Sequence, residues 1–427
     1  MADTVSKHID MTTGSLWRNI PLFAFPVAAT SILEQLSNLI ATVIIGNFSG
    51  DQGTLAMAAV GSNVPLTSLM LNLFIGMSLG SNVVIANAIG RNDQNMVKRA
   101  VHTSILMALV GFVVIALGEI FAEPMLAALN VPAETMPLAS LYLRVFLLSM
   151  PSILLYNFEA AIFRSVGITR MPLQALAVST VLNIGLDLIF VPVLHWGVAG
   201  VAIATAIAYT VSAATLFIRL LKTDSVVRVT PRDLAIDPVA LKRIVKIGLP
   251  AGIQSAVFAV ANIIIQSAIN SLGTEVMAAS SAAMSLEYVC YNLLNSFSQA
   301  CTTFVGQNHG ARQIDRCTKT LKVCLVEGGI VALTTIIVIV GLGREILSLF
   351  NSDPNIVSIG YFQSVERPRP AMAVTVLRGF VFMAACFFGL PLLLGVEGIW
   401  LAVPLAEALT FAVVAAIYGR TCLKSAF

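Results

Sequence analysis

Two polar side chains stand four residues apart inside a long apolar stretch of this sequence. Asn183 and Asp187 interrupt residues 178–205, VSTVLNIGLDLIFVPVLHWGVAGVAIAT, which are otherwise almost entirely apolar. At that spacing the two side chains lie on one face of a helix. If the helix crosses a bilayer, a carboxyl group near its middle is costly and is tolerated mainly where it faces a bundle interior or a watery cavity. Asp187 is therefore a candidate functional acid; the alternative is a protonated carboxyl hydrogen-bonded to a neighbouring helix.

The composition indicates a membrane protein. Of the 427 residues, 57% are hydrophobic and only 11% are charged, whereas soluble domains have about 25% charged residues. So little polar surface cannot cover a water-soluble globule of this size. The first 15 residues are polar and no short apolar segment with a cleavage site follows them, so we expect the first apolar segment to remain a membrane span.

Eleven apolar segments are long enough to cross about 30 Å of hydrocarbon. They lie at about 20–46, 55–82, 100–122, 137–162, 173–194, 197–221, 245–270, 276–304, 320–345, 371–394 and 397–419. Long, uniformly apolar segments predict helices, because the strands of membrane barrels are about ten residues long and alternate. The predicted fold class is an all-α polytopic membrane protein.

Basic residues are distributed unevenly among the loops between these segments. Lys and Arg follow the second, fourth, sixth and eighth segments, whereas the intervening loops FSGDQGT, EPMLAALNVPAET and SLGTE contain none. Because basic loops stay in the cytoplasm, this pattern places the N-terminus and the even-numbered loops on the cytoplasmic side.

The two halves of the chain repeat one another. IPLFAFPVAATSILEQLSNLIATVIIG parallels VKIGLPAGIQSAVFAVANIIIQSAINSLG, with Pro26 matching Pro250. We therefore predict an N-terminal lobe of residues 1–222, a cytoplasmic linker of residues 223–243 and a C-terminal lobe of residues 244–427. Six spans in each lobe would give the two bundles the same orientation, related by a pseudo-two-fold axis along the membrane normal.

The second lobe is short by about one span. RSVGITRMPLQALAV begins 22 residues after Tyr142, but its counterpart QSVERPRPAMAV begins two residues after Tyr361. The tenth span is therefore predicted to be missing near residues 362–370, which leaves about 11 transmembrane helices. A deletion in the chain, an aberrant transcript or gene prediction, and a genuine eleven-span variant would each explain the gap.

Several segments together resemble one transporter family. They are NLIATVIIG, LNLFIGMSLGSNVVIANAIG, FRSVGITRMP, LNIGLDLIFVP and WGVAGVAIAT in the first lobe, and GLPAGIQSAVFAVANIIIQSAINSLG and FVGQNHGA in the second. The chain resembles the multidrug and toxic compound extrusion (MATE) family, in its bacterial branch of DinF-, MepA- and YoeA-like members. The resemblance implies an antiporter of the bacterial inner membrane that exports organic, often cationic, small molecules in exchange for protons or sodium ions. We also expect a monomer without a cofactor, and no nucleic-acid partner, because the topology alone explains the cytoplasmic Arg and Lys residues.

The resemblance also implies a coupling site in the first lobe. The family pattern has an Asp in the first span, Asn and Asp in the fifth and Thr in the sixth, and Asn183, Asp187 and Thr205 match the last three. These residues would form a proton or sodium site, and no other metal site is expected. The first-span position is Ala41, which can neither carry a proton nor bind a cation. In the second lobe, Phe258 stands where a related branch has Glu.

Glu34 offers a substitute for the missing first-span acid. It precedes Ala41 by seven residues, so it lies on the same helix face about 10 Å along the axis. The hypothesis is that Glu34 and Asp187 share the protonation work; the alternative is that Glu34 forms a hydrogen bond within the outer part of the lobe.

Three further residues are candidates for a substrate cavity. Glu287 and Tyr291 in the eighth span would offer an anion and an aromatic face to an organic cation, or they form an ordinary interhelical hydrogen bond. Met77 would line an adaptable apolar cavity or simply pack against its neighbours.

Other classes of protein are less compatible with the sequence. It has no Walker A pattern of an ATP-driven pump, and no nucleophile–base arrangement of an enzyme stands out. Two alternatives to the exporter remain: a flippase of the same superfamily for lipid-linked precursors or polysaccharides, and a non-transporting remnant, which the missing span and Ala41 would favour.

Overall fold

The computed structural model describes residues 8–48, 53–129, 131–270 and 274–348. It includes their side chains apart from those of residues 54, 257–287, 336, 339–340 and 342–348. The predicted gap near residues 362–370 and the tenth and eleventh apolar segments lie outside the described residues.

Helices account for all the regular structure in the described part of the chain, apart from one short 3₁₀ turn at Pro231–Asp233. The helices are α1 (Leu16–Phe48), α2 (Gly53–Gly90), α3 (Gln94–Met107), α4 (Val110–Ala128), α5 (Met136–Leu147), α6 (Met150–Ser165), α7 (Arg170–Phe190), α8 (Gly197–Lys222), α9 (Pro238–Asn270), α10 (Thr274–Gly310) and α11 (Ile314–Ser348). No strand occurs among these residues, so the predicted all-α class is confirmed.

Five helical segments of the described chain are long and apolar enough to cross a membrane, or six if a bent pair counts as one span. The five are Leu16–Phe48, Leu55–Gly90, Gln94–Ala128, Arg170–Phe190 and Gly197–Lys222. They agree in place with the first, second, third, fifth and sixth predicted spans. The bent pair agrees with the fourth.

The third and fourth predicted spans are each interrupted near the middle, which the apolar windows did not predict. The chain turns at Ala108 and Leu109 between α3 and α4, and it bends by 46° between α5 and α6. The second bend has a local cause, because Pro151 lacks an N–H group and disfavours helical geometry in the residue before it. The two interruptions also touch: a Cβ on Gly111 would lie 2.7 Å from the Cα of Pro151.

Two of the three buried apolar clusters in the described part of the chain are formed mainly by the first eight helices. One centres on α2, α3, α6 and the end of α8, and the other on α1, α2, α4, α5, α6 and the start of α8. Tyr209 borders both clusters. The first eight helices, which carry most of the polar residues described below, therefore pack against one another through apolar side chains.

Glycines allow α2 to approach α9 and α10 closely. A Cβ on Gly76 would overlap the backbone of Gly252, and one on Gly90 would overlap the carbonyl oxygen of Gln307. A buried hydrogen bond from Thr303 Oγ1 to Asn82 Oδ1 at 2.9 Å lies at the same α2–α10 contact. Small residues permit such backbone approaches between membrane helices.

The linker after α8 packs against the beginning of α3. Lys98 forms an ion pair with Asp233 at 2.7 Å, and Arg99 forms one with Asp237 at 3.5 Å. The Lys98 ammonium, which donates a hydrogen bond to Asp233, lowers the pKa of that carboxyl. The N–H of Thr230 donates to His102 Nε2 at 3.2 Å. These contacts attach the linker to the first half of the chain.

Residues 9–14, here termed the N-terminal strap, precede α1 and are held by the start of α11 and the end of α10. The Met11 side chain is fully buried. Arg316 Nη2 donates to the carbonyl oxygen of Thr13 at 2.7 Å, and Asn308 Nδ2 donates to that of Met11 at 3.0 Å. The strap therefore contacts the second half of the chain directly.

The same strap also contacts the first half, at the turn between α6 and α7. The N–H of Ile9 donates to the carbonyl oxygen of Gly167 at 3.4 Å. Gly167 has φ +81°, a conformation that favours glycine. Within the strap, hydrogen bonds from Thr13 and Thr12 lower the pKa of Asp10 to about 2. Since this value lies below the ordinary one of 3.8, the bonds stabilise the strap at neutral pH and are lost as the pH falls through about 2.

We expect Arg316→Ala to release the strap. Hydrogen bonds to charged groups contribute about 1.5–3 kcal/mol, so transient exposure of Met11 should rise roughly tenfold or more. The measurement is the labelling rate of Met11→Cys with a membrane-impermeant maleimide in a variant without other cysteines. Arg312→Ala is the control, because Arg312 is exposed and makes no hydrogen bond in the described part of the chain that involves its guanidinium. Equal labelling in both variants would contradict the expectation.

The chain divides into two compact units. The first comprises Met1–Ile265 with Tyr288–Thr334 and contains every contact discussed here; the second comprises Gln266–Glu287 with Thr335–Phe427.

Candidate functional site

Asn183 and Asp187 lie on the buried face of α7, as their spacing predicts. The buried residues of this helix are Pro172, Ala175, Leu176, Ser179, Thr180, Asn183 and Asp187. Asp187 is 0% exposed and Asn183 is 5% exposed. The helix packs against α1 and α8, so both polar side chains point into the group of helices rather than away from it.

The Asp187 carboxyl has no hydrogen-bond partner among the described residues, and this applies to both of its oxygens. Asn183 Oδ1 accepts a hydrogen bond from Ser37 Oγ of α1 at 3.0 Å, but its amide nitrogen has no partner. Burying a charged carboxylate without a partner is very costly. The site can therefore hold Asp187 only with a proton on the carboxyl or with a cation beside it.

The surroundings of Asp187 are aromatic and apolar. Tyr142 of α5 interacts electrostatically with Asp187, and its ring stacks on Phe146 at a centroid distance of 5.9 Å. Ala41 is buried in the apolar cluster that these two rings border. Ala41, at the first-span position where the family pattern has an acid, is thus surrounded by apolar side chains.

Thr205 lies on α8, which packs against α7. Its hydroxyl donates to the carbonyl oxygen of Val201 at 3.0 Å. No hydrogen bond joins Thr205, Asn183 and Asp187 to one another in the described part of the structure. The three residues implied by the family pattern are therefore on adjacent helices, and their role as one coupling site stays a prediction.

Glu34 belongs to a second polar group, formed with Arg164 and Tyr156 of α6 and Tyr209 of α8. Glu34 interacts electrostatically with all three. The two tyrosine rings meet edge to face at 6.0 Å. Glu34 and Arg164 form no direct ion pair within 4 Å; instead Arg164 Nη1 donates to Gln299 Oε1 of α10 at 3.0 Å. We call these four residues, together with Gln299, the Glu34 group.

The two acids thus have different neighbours. Asp187 lies beside Tyr142, whereas Glu34 lies beside Arg164 and two other tyrosines. The hypothesis that both acids share the protonation work remains a prediction, and the structure gives each of them its own surroundings.

The sequence analysis overlooked two residues of α6. Arg164 was assigned to a basic loop, but it lies in the last turn of the helix and reaches α10. Its spacing of eight residues from Tyr156 places both on one helix face and was visible in the sequence. Glu159 is fully buried with neither carboxyl oxygen bonded. As an acid within an apolar span it satisfied the criterion that identified Asp187.

The predicted substrate-cavity residues are spread over two helices. Met77 is partly buried and packs on the larger apolar cluster, where its backbone approaches Gly248 of α9. Tyr291 is 47% exposed on α10. The side chains of Glu287 and Phe258 lie outside the described residues.

No group of three or more His, Cys, Asp or Glu side chains suited to a metal ion occurs in the part of the chain that the structure describes.

These features define a class of protein. A helical body with a buried, unpartnered acid between apolar helices is typical of membrane transporters. The MatE family model matches residues 26–189 and 250–361, two segments that together make up more than half of the chain. The chain belongs to the MATE family and is an integral membrane protein, as the resemblance predicted. The second matched segment ends at residue 361, the position after which the sequence predicts the missing span.

Named relatives cover most of the chain. The probable multidrug resistance protein YoeA of Bacillus subtilis is 28% identical over 81% of this chain and 76% of its own length. The multidrug export protein MepA of Staphylococcus aureus is 22% identical over 91% of this chain and 90% of its own length. An FAD transporter of Shewanella oneidensis is 24% identical over 78% of this chain and 77% of its own length.

Solved structures show the same fold. An outward-facing multidrug resistance MATE transporter of the MOP superfamily matches with a TM-score of 0.76, at 21% identity, over 99% of both chains. A MOP superfamily transporter from Pyrococcus furiosus matches with a TM-score of 0.75, also at 21% identity and over 99% of both chains.

Proposed function

We propose that this protein is a secondary active antiporter that exports small organic, mainly cationic compounds in exchange for protons or sodium ions. The observation that carries the proposal is the buried carboxyl of Asp187, which has no partner among the described residues of this MATE-family chain. Two of the relatives are named for multidrug resistance or export, which supports a drug-like substrate.

The coupling step follows from the charge of Asp187. A proton or a sodium ion neutralises the buried carboxylate. Asn183 on α7 and Thr205 on α8 would supply further oxygen ligands for a sodium ion. The two cations compete with an organic cation for the negative charge of the lobe. If each charge state of Asp187 favours one access state, the inward flow of ions shifts the population and drives export.

Charge supports a cationic substrate. The described interior of the first lobe contains three acids, Asp187, Glu34 and Glu159, against the guanidinium of Arg164 and the imidazole of His102. When these acids are ionised, their excess of negative charge in a low-dielectric interior attracts cations and repels anions. Glu287, Tyr291 and Met77 remain the proposed contacts for the organic part of the substrate.

The proposed location is the inner membrane of a bacterium, with the N-terminus in the cytoplasm. The positive-inside distribution supports this orientation. The N-terminal strap contacts both the turn at Gly167 and the beginning of α11, as expected of segments on one side of the membrane. We propose a monomer whose partners are the lipid bilayer and its substrate, with no cofactor and no nucleic acid.

Expression in a drug-sensitive bacterium tests the proposal. Cells that produce the chain should accumulate less ethidium than control cells, and collapse of the proton and sodium gradients should abolish the difference. A C-terminal tag reports in the same cells whether the full chain is inserted. An inserted chain with no effect on ethidium or on a panel of other organic cations would contradict the proposal and favour the non-transporting remnant.

A further inference from the structure

Arg164 lies where the first and second halves of the chain meet. Its guanidinium donates to Gln299 of α10 at 3.0 Å, although an acid, Glu34, is within electrostatic range on α1. Arginine ordinarily prefers a carboxylate to a neutral amide, because the carboxylate adds an opposite charge and can accept two parallel hydrogen bonds from the guanidinium. The bond to Gln299 is therefore the arrangement expected when Glu34 carries no charge.

Two different partners on two different elements thus compete for one cation. When Arg164 is bonded to Gln299, it joins α6 to α10. When Glu34 is deprotonated, its charge draws Arg164 towards α1 and away from α10. Because the interior has a low dielectric, an attraction of this kind is large enough to change the population of a close helix contact.

The titratable and charged groups around Glu34 belong to two neighbouring helices. Arg164 and Tyr156 of α6 and Tyr209 of α8 interact with it electrostatically, and Glu159 of α6 interacts with Tyr156. Among the elements packed on α1, α2 has no titratable side chain, and the only acid of α7 is Asp187. The side chains on α10 that titrate closest in sequence to Gln299 are Tyr291 and Cys301.

We propose that Arg164 is a positioning residue that links the charge on Glu34 to the contact between α6 and α10. Protonated Glu34 leaves Arg164 on Gln299 and holds the two helices together, and deprotonated Glu34 withdraws Arg164 and allows them to part. This inference rests on the proposed antiport. It adds the step by which protonation of Glu34 changes the side of the membrane to which the transporter is open.

A second bond between the same helices provides the control. Gln307 Nε2 donates to the carbonyl oxygen of Ser165 at 2.7 Å. It joins α10 to α6 one residue beyond Arg164 but involves no titratable group. Loss of this bond should weaken the contact equally at every pH, whereas loss of the Arg164 link should remove the response to pH.

The test is a distance measurement by double electron–electron resonance spectroscopy on the purified full chain in lipid nanodiscs. Nitroxide labels are placed at the exposed positions Arg170 and Gln313, in a variant without native cysteines, and distances are recorded between pH 5 and pH 9. In the otherwise unchanged chain, the population with separated labels should rise with pH.

The substitutions Glu34→Gln and Arg164→Gln should each abolish this rise. Glu34→Gln should keep the labels close at every pH, Arg164→Gln should give more separation at every pH, and the double variant should behave like Arg164→Gln, because Glu34 acts only through Arg164. Gln307→Ala should keep the rise, with more separation at every pH. Gln299→Glu leaves Glu34 and Arg164 in place and should keep the labels close at high pH.

A rise with pH that persists in Arg164→Gln, or an unchanged profile in Gln299→Glu, would overturn the proposal. Its failure is separable from that of the antiport. If the chain exports ethidium in a gradient-dependent way but its label distances respond to pH equally with and without Arg164, only the role of Arg164 is refuted. If the unsubstituted chain exports no ethidium, the antiport is refuted, whatever the distances show.

Discussion

Replacement of Asp187 by Asn is expected to reduce gradient-driven efflux at least tenfold without loss of the folded protein. The amide has nearly the shape of the carboxyl but can neither bind a proton nor neutralise a sodium ion. Because the carboxyl has no hydrogen-bond partner among the described residues, the substitution breaks no bond of the described structure. A neutral side chain also removes the cost of a buried charge, so stability should be unchanged or increased.

The effect is measured as ethidium accumulation in cells that produce equal amounts of membrane-inserted protein, together with the melting temperature in detergent. Glu119→Gln is the matched control, since it also converts a carboxyl to an amide but at a half-exposed residue near Arg144. The control should transport like the unsubstituted chain. Full efflux by Asp187→Asn would exclude this acid from the coupling step.

The second large effect is expected where α2 meets α10. Gly90→Ala adds a methyl group that would overlap the carbonyl oxygen of Gln307, so the two helices must separate. Overpacking of this kind costs about 1–3 kcal/mol, which corresponds to a shift of roughly 5–150-fold in the population of the closed contact. We expect lower thermal stability and a strong loss of efflux.

Gly61→Ala is the control for this prediction. Gly61 lies on the same helix, but a Cβ there would meet nothing within 4 Å. Since Ala favours a helix over Gly by up to about 1 kcal/mol, this variant should be as stable as the original chain or slightly more so. The two variants are compared by melting temperature and by ethidium efflux. Equal melting temperatures of the two variants would show that the close contact between α2 and α10 does not determine the thermal stability of the protein.

The sequence was sufficient for the features that depend on local pattern. Uniform apolar segments predicted the helices, and the four-residue spacing predicted the shared face of Asn183 and Asp187. The interruptions after Met107 and Leu147 were not predicted, because an average over an apolar window does not respond to a two-residue turn. Pro151 was a visible signal for the second of them.

Features that depend on distant segments required the structure. Ser37 and Asn183 are 146 residues apart in the chain and share a hydrogen bond. Arg164 was placed in a loop because the positive-inside rule concerns the charge near the ends of spans. The rule does not predict in which direction a side chain extends from the end of a helix. Its bond to Gln299 depends on how α6 and α10 pack together, which no single segment specifies.

The most direct test of antiport uses purified protein in liposomes. Vesicles are loaded at pH 6 or with sodium, diluted into sodium-free buffer at pH 8, and held at zero membrane potential with potassium and valinomycin. We predict that labelled tetraphenylphosphonium accumulates inside as protons or sodium ions leave, and that Asp187→Asn abolishes the accumulation. Uptake that is equal with and without both gradients, or that is unchanged in Asp187→Asn, would contradict coupled export through this acid.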